Sequence, residues 1–143
     1  MRIRQATAKD IIPMARLMMD VYSKPPFNAR RPLSEAVKSL RYYLKMGHAF
    51  VAEERKELVG ATVLRVDRFW EGNVLIIEDL AVKETPGSQN VRKALLSSMR
   101  KYAKQKKAHL ISFSTLLKSP NLGFYEKNGF KLRKDLGIFE KRI

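Results

Sequence analysis

Residues 78–96, EDLAVKETPGSQNVRKALL, constrain the fold more than any other stretch of the chain. They read as a buried strand that runs through a short loop into an amphipathic helix, so a sheet and a helix packed against it must meet within one short span. Val91, Leu95, Met99 and Tyr102 form the apolar stripe of that helix, which is predicted over about Gln89 to Lys106. A basic stripe lies beside it, because Lys93, Arg100, Lys104 and Lys107 fall within about 60° of arc at roughly 100° per residue.

The rest of the chain alternates elements with short connections and no repeats. Arg2 to Ala6 alternates as a short edge strand. Thr7 is the expected N-cap of a helix bearing Ile11, Met14, Leu17, Met18 and Val21, with Pro13 in the first turn where proline is tolerated. SKPPFNARRP then breaks the chain, and Ser34 with Glu35 leads into a second helix bearing Val37, Leu40, Tyr43 and Leu44. Three strands follow: HAFVAEE, ELVGATVLRV after a tight turn at Arg55-Lys56, and NVLIIEDLAV after Glu71-Gly72. Beyond the long helix come the strand HLISFST, a short helix near Asn121 to Lys127, and a terminal pair of strands around FKLRKD and GIFEKRI. This order predicts an α/β (α+β) fold, one domain over residues 1–143, with a mixed, mostly antiparallel sheet flanked by four helices.

Composition narrows the functional classes. A chain of 143 residues, 45% hydrophobic, suits one core and no second domain. It has no cysteine and only two histidines, which rules out disulfides and thiolate sites and leaves too few imidazoles for a cluster, so no metal is expected. The longest apolar run, Val74 to Ile77, is far short of a membrane span, and MRIRQATAKD has no apolar signal core; no membrane partner and a cytoplasmic location are the expectations. Twenty-nine Lys and Arg against fourteen Asp and Glu give a formal charge of +15. Between Thr85 and Lys134 twelve basic residues face a single acid, Glu126, a distribution that points to polyanionic partners.

With IIEDLAV, its loop and helix, and FYEKNGF at 124–130 in place, the order of elements resembles the GNAT superfamily of acyl-CoA N-acyltransferases over essentially the whole chain. The resemblance implies acetyl-CoA as cofactor, with its pantetheine held by the main chain at Leu80, Ala81, Val82 and Lys83. It implies a pyrophosphate site at Gly87, Ser88, Gln89, Asn90, Val91, Arg92 and Lys93, where amide groups and the positive end of a helix dipole meet the phosphates. Tyr125 matches the family tyrosine beside the sulfur, a suitable proton donor to a thiolate. Strand alternation sends Glu78 and Asp79 to opposite faces, so one carboxylate at most is expected in the cleft; Glu78 is the expected base, with Arg65 as its alternative, structural partner.

The chain departs from the family pattern in its loop. Relatives place Arg or Gln, then glycine or alanine, then glycine or alanine where this chain has Gly87, Asn90 and Arg92. The asparagine found seven residues before the tyrosine is Lys118, and Pro120-Asn121 replaces a small residue at the start of the short helix. Two readings follow. One is an acetyl-CoA-dependent N-acetyltransferase acting on an amine or protein acceptor, including one associated with nucleic acid. The other is a lapsed member that binds RNA or a ribosome through Lys93, Arg100, Lys104 and Lys107. Phe27 beside Arg30 and Arg31 borders the acceptor site in the first reading and stacks a base in the second. Phe69 and Trp70 form an exposed apolar pair at a strand tip, suited to a partner contact.

Overall fold

Arg55 and Lys56 both adopt positive φ, 51° and 63°, the two-residue geometry whose twist matches the strands on either side. That turn joins two strands of a five-stranded sheet in the computed structural model, which describes residues 1–143. In chain order the elements are β1 (Arg2–Gln5), a single 3₁₀ turn (Ala8–Asp10), α1 (Ile11–Ser23), α2 (Leu33–Met46), β2 (His48–Glu54), β3 (Glu57–Phe69), β4 (Gly72–Val82), α3 (Ser88–Gln105), β5 (Ala108–Ser112) and α4 (Leu122–Lys127). The sheet runs β1-β2-β3-β4-β5, antiparallel throughout except for the parallel pair β4 and β5 that α3 connects. The fold is therefore the mixed, mostly antiparallel α/β single domain with four helices that the order of elements predicts.

Two apolar clusters occupy the two faces of the sheet. On one, Met14, Ala15, Leu17 and Met18 of α1 and Val37 and Leu40 of α2 pack on Ala49, Val51, Ala61, Val63 and Ala81. On the other, Val91, Leu95, Leu96, Met99 and Ala103 of α3 pack on Ala52, Leu64, Leu75, Ile77 and Val82. In β4, Leu75 and Ile77 share a face with Val82, while Ala81 lies on the opposite one. The period of two has slipped by one residue between Ile77 and Ala81. Strand pairing locates the slip: Leu64 is opposite Ile77 and Val63 is opposite Asp79, so Glu78 is the extra residue of a β-bulge.

Three sequence expectations differ from the fold. The terminal strand pair around FKLRKD and GIFEKRI does not form, and residues 131–143 contain no strand and are all exposed. Lys107 lies past the end of α3 with φ of 55°, so the basic stripe on that helix consists of Lys93, Arg100 and Lys104. Thr7 is an N-cap, in a capping box with Asp10, but of the 3₁₀ turn that precedes α1 and not of α1 itself. The Asp10 carboxylate accepts a hydrogen bond from the Thr7 main-chain N–H at 2.8 Å.

Asp10 also anchors the first strand. Arg4 donates to both of its carboxylate oxygens, at 2.8 and 2.9 Å, and donates from Nε to Glu53 at 2.9 Å, tying β1 to the start of α1 and to β2. The Arg4 guanidinium holds the Asp10 carboxyl below its ordinary value. A depressed carboxylate contributes stability above its unfolded pKa of about 3.9, lost as pH falls below that through the folded value. Asp10→Asn is expected to destabilise the fold at neutral pH by about 2 kcal/mol. Urea melts of parent and variant should converge as the pH drops below 4; a constant difference would mean that the charge on Asp10 contributes nothing.

Candidate active site

β4 and β5 pair only from Asn73 to Ile76 and from Ala108 to Ser112, and then separate. Beyond that point Ile77 to Val82 keep one main-chain edge unpaired, and the chain at Phe113 to Leu116 forms the opposite wall. The opening between them is a cavity of about 460 Å³, closed on a third side by the end of α1 and the loop after it, from Val21 to Phe27. Tyr125 of α4 and Arg92 of α3 reach it from the other face of the sheet.

Glu78 and Asp79 both line this cavity, contrary to the alternation expected of a regular strand. The bulge at Glu78 is the reason: with one extra residue in the strand, consecutive side chains no longer point to opposite faces. Thr62, fully buried, fixes the bulge by donating its hydroxyl to the Asp79 carbonyl at 2.9 Å. The two carboxylates are in different states. Glu78 pairs with the Arg65 guanidinium, which also holds Asp67. Asp79 has no cationic partner in contact and faces the Tyr22 phenol. Burial pushes the Asp79 carboxyl above its ordinary value; the Tyr22 hydroxyl and Arg31 oppose that shift and the neighbouring Glu78 adds to it.

Tyr125 is seated by aromatic packing. Its ring lies edge-on to Phe113 at 4.7 Å and to Phe124 at 5.6 Å, and Phe130 closes the cluster at 5.3 Å from Phe113. Gly129, with φ of 89°, makes the turn that returns Phe130 to this cluster, a conformation that costs other side chains free energy. Burial raises the Tyr125 hydroxyl above the usual phenol range, against the opposing influence of Arg92, so it stays protonated at neutral pH.

The loop between β4 and α3 has an internal cation. Gly87, with φ of 93°, is the N-cap of α3, and the main-chain amides of Gly87 and Gln89 have no main-chain acceptor. Arg92 is only 4% exposed; it pairs with Glu84 and donates to Ser88 Oγ at 3.4 Å and Gln89 Oε1 at 3.3 Å. Lys93, by contrast, is exposed on the outer face with Arg100 and Lys104. Asn90 is exposed in the first turn, Val91 belongs to the core, and Ser88 is buried.

The cavity thus unites Tyr125, Glu78, the β4 main chain and Arg92, and separates them from Lys93 and the basic stripe. The sequence sets Asp79 aside in favour of Glu78 and gives no sign of Tyr22 or Glu84. Only the Asp79 position was visible beforehand, as the neighbour of Glu78; Tyr22 and Glu84 carry no local signal and become site residues through packing.

Comparison with known proteins bears on this geometry. The family model for the acetyltransferase (GNAT) domain matches residues 35–132. No curated protein matches the chain in sequence. Among solved structures, a probable acetyltransferase superposes with a TM-score of 0.84 at 24% identity, covering 100% of this chain and 98% of its own. A possible acetyltransferase from Clostridium difficile 630 gives 0.84 at 15% identity, with 99% and 97% covered. An aminoglycoside N-acetyltransferase, AAC(6')-Iy, in complex with CoA gives 0.77 at 14% identity, with 99% and 100% covered.

Proposed function

Because this chain belongs to the GNAT acetyltransferase family, we propose that it transfers an acetyl group from acetyl-CoA to a primary amine, with Asp79 as general base and Tyr125 as general acid. The observation that carries the reading is the convergence of Asp79, Tyr125 and the open edge of β4 on one cavity. Acetyl-CoA supplies an activated thioester, and everything else the reaction needs is within reach of the chain's own residues.

The residues present fit such a cofactor. The unpaired edge of β4 from Ile77 to Val82 offers main-chain donors and acceptors to an amide-containing arm. The free amides of Gly87 and Gln89 at the start of α3 offer donors to a phosphate. Arg92 adds a buried guanidinium beside them. Asp79, half-buried and poised above the usual carboxylate range, takes a proton from the amine as its nitrogen bonds to the acetyl carbon. Tyr22 holds Asp79 in orientation, and the Tyr125 hydroxyl gives its proton to the departing sulfur. Two carboxylates with Tyr22 and Phe27 on the facing wall suit an amine on an apolar stem, which is a cation in solution and loses one proton to water before its neutral nitrogen attacks.

The alternative of a lapsed, RNA-binding member is not favoured. Its stripe on α3 is shortened by the position of Lys107, and the candidate catalytic groups meet in a shaped cleft elsewhere.

The loop provides the first test. Glu84 and a phosphate compete for the same guanidinium, so Glu84→Gln is expected to tighten coenzyme A binding and Arg92→Ala to weaken it, each by about three- to tenfold. Titration of each variant with coenzyme A measures this. Equal affinity in parent and both variants would remove Arg92 from the cofactor site.

A further inference from the structure

The β3–β4 hairpin projects past its neighbour β2. That strand begins at His48, opposite Leu64, so Arg65 to Phe69 of β3 pair with β4 alone. Five residues at about 3.3 Å each carry the tip roughly 17 Å beyond β2. Trp70, the only tryptophan of the chain, stands in the turn at the tip and is fully exposed, and Phe69 before it is 47% exposed. Neither belongs to the apolar clusters on the two faces of the sheet. An aromatic pair held out in water in this way marks a contact surface.

A collar of cations surrounds the base of the tip. Arg68 is opposite Asn73 across the hairpin, and the Asn73 side chain donates to the Lys106 carbonyl at 3.0 Å, which brings the turn between α3 and β5 alongside. His109 Nδ1 donates to the Asn73 carbonyl at 3.0 Å. A Cβ on Gly72 would lie 3.1 Å from His109 Nδ1 and 3.6 Å from Arg68 Nη1, so both heads flank the turn directly. Lys104, Lys106 and Lys107 are exposed at the end of α3 and just after it, and neither they nor Arg68 have a carboxylate partner. Asp67 is engaged by Arg65, which leaves Glu71 as the one unpaired acid of the hairpin.

We propose that this tip docks on an anionic lipid surface, with Phe69 and Trp70 entering the headgroup layer and Arg68, Lys104, Lys106 and Lys107 facing the lipid phosphates. The relative heights decide the occupant. Trp70 stands two residues past Arg68, roughly 7 Å at the rise of a strand, and interfacial apolar side chains enter a bilayer by about 5–10 Å. A groove for single-stranded nucleic acid sets its rings among its cations, so that bases stack while the backbone follows the charge. Here the rings lead and the cations follow. The chain's charge of +15 complements such a surface. No helix is long and apolar enough to cross a membrane, so the contact is peripheral; the expectation of no membrane partner rested on the lack of a span and does not bear on it. The cavity opens from Ile77, five residues further along β4 and roughly 17 Å from Gly72, a distance that keeps it clear of the lipid.

Trp70 reports its own insertion, since no other tryptophan contributes to the emission. With vesicles of phosphatidylcholine containing phosphatidylglycerol, at low salt, the emission is expected to move to shorter wavelength and to resist quenching by acrylamide. Vesicles of phosphatidylcholine alone should bind about 30-fold more weakly or worse, because each basic residue at an anionic surface contributes about fivefold. The triple variant Arg68→Gln, Lys106→Gln and Lys107→Gln should lose a similar factor on the anionic vesicles, and Glu71→Gln should gain about fivefold. Phe69→Ser should weaken co-sedimentation about tenfold. These side chains are all exposed, so circular dichroism should be the same in every variant. Emission and sedimentation that anionic vesicles leave unchanged at millimolar lipid overturn the proposal. Equal binding by the triple variant overturns it too, as does a tip quenched by single-stranded polyuridylate but indifferent to vesicles.

Discussion

Asp79→Asn is expected to lower the turnover number for acetyl transfer by about 10²- to 10⁴-fold, the usual contribution of a positioned base. The amide keeps the size and the contact with Tyr22 but accepts no proton. Glu78→Gln should cost much less, because Glu78 is engaged with Arg65 and acts on the reaction only through its charge next to Asp79. The pH profile separates the two. In the parent the rate falls on the acid side as Asp79 takes up a proton, above the range of an ordinary carboxylate because burial raises it. That limb should vanish in Asp79→Asn. In Glu78→Gln it should shift towards lower pH, since a neighbouring negative charge that raises Asp79 is gone. If Glu78→Gln loses the limb and Asp79→Asn retains it, the base is Glu78.

Tyr125→Phe is expected to reduce turnover by about 10²-fold or more while leaving the Michaelis constant for acetyl-CoA within about twofold. The hydroxyl acts on the leaving sulfur, an interaction that grows as the thioester breaks. The ring, packed against Phe113 and Phe124, is unchanged in Phe. Release of free thiol in the presence of a primary amine is the readout. Unchanged turnover would leave Tyr125 as a packing residue of the aromatic cluster.

The elements of the fold were legible because each has a local cause. The 3.6-residue spacing of Val91, Leu95 and Met99 marks α3, and the Arg55-Lys56 turn separates two β-rich runs. Tyr125 was legible for a related reason, since FYEKNGF carries its helix, its glycine turn and its core plug in seven consecutive residues. What sequence reasoning misplaced depends on pairing between distant segments. The bulge at Glu78 follows from the register of β3 against β4, fifteen or so residues apart along the chain, and without it Asp79 would face away from Glu78. The burial of Arg92 depends on Glu84 folding back over the start of α3; a helical-wheel count has no access to that ion pair. Residues 131–143 have the alternating apolar character of strands, which led to the expected terminal pair, but alternation alone does not create the main-chain pairing that makes a strand.

Calorimetric titration of the unmodified chain with acetyl-CoA tests the central claim most directly. The cavity with its open β4 edge, free α3 amides and buried Arg92 predicts saturable binding of one acetyl-CoA per chain, with heat that disappears when coenzyme A already fills the site. Absence of any saturable heat up to millimolar acetyl-CoA, in a sample whose circular dichroism shows the folded α/β chain, would contradict the assignment of this cleft as an acetyl-CoA site.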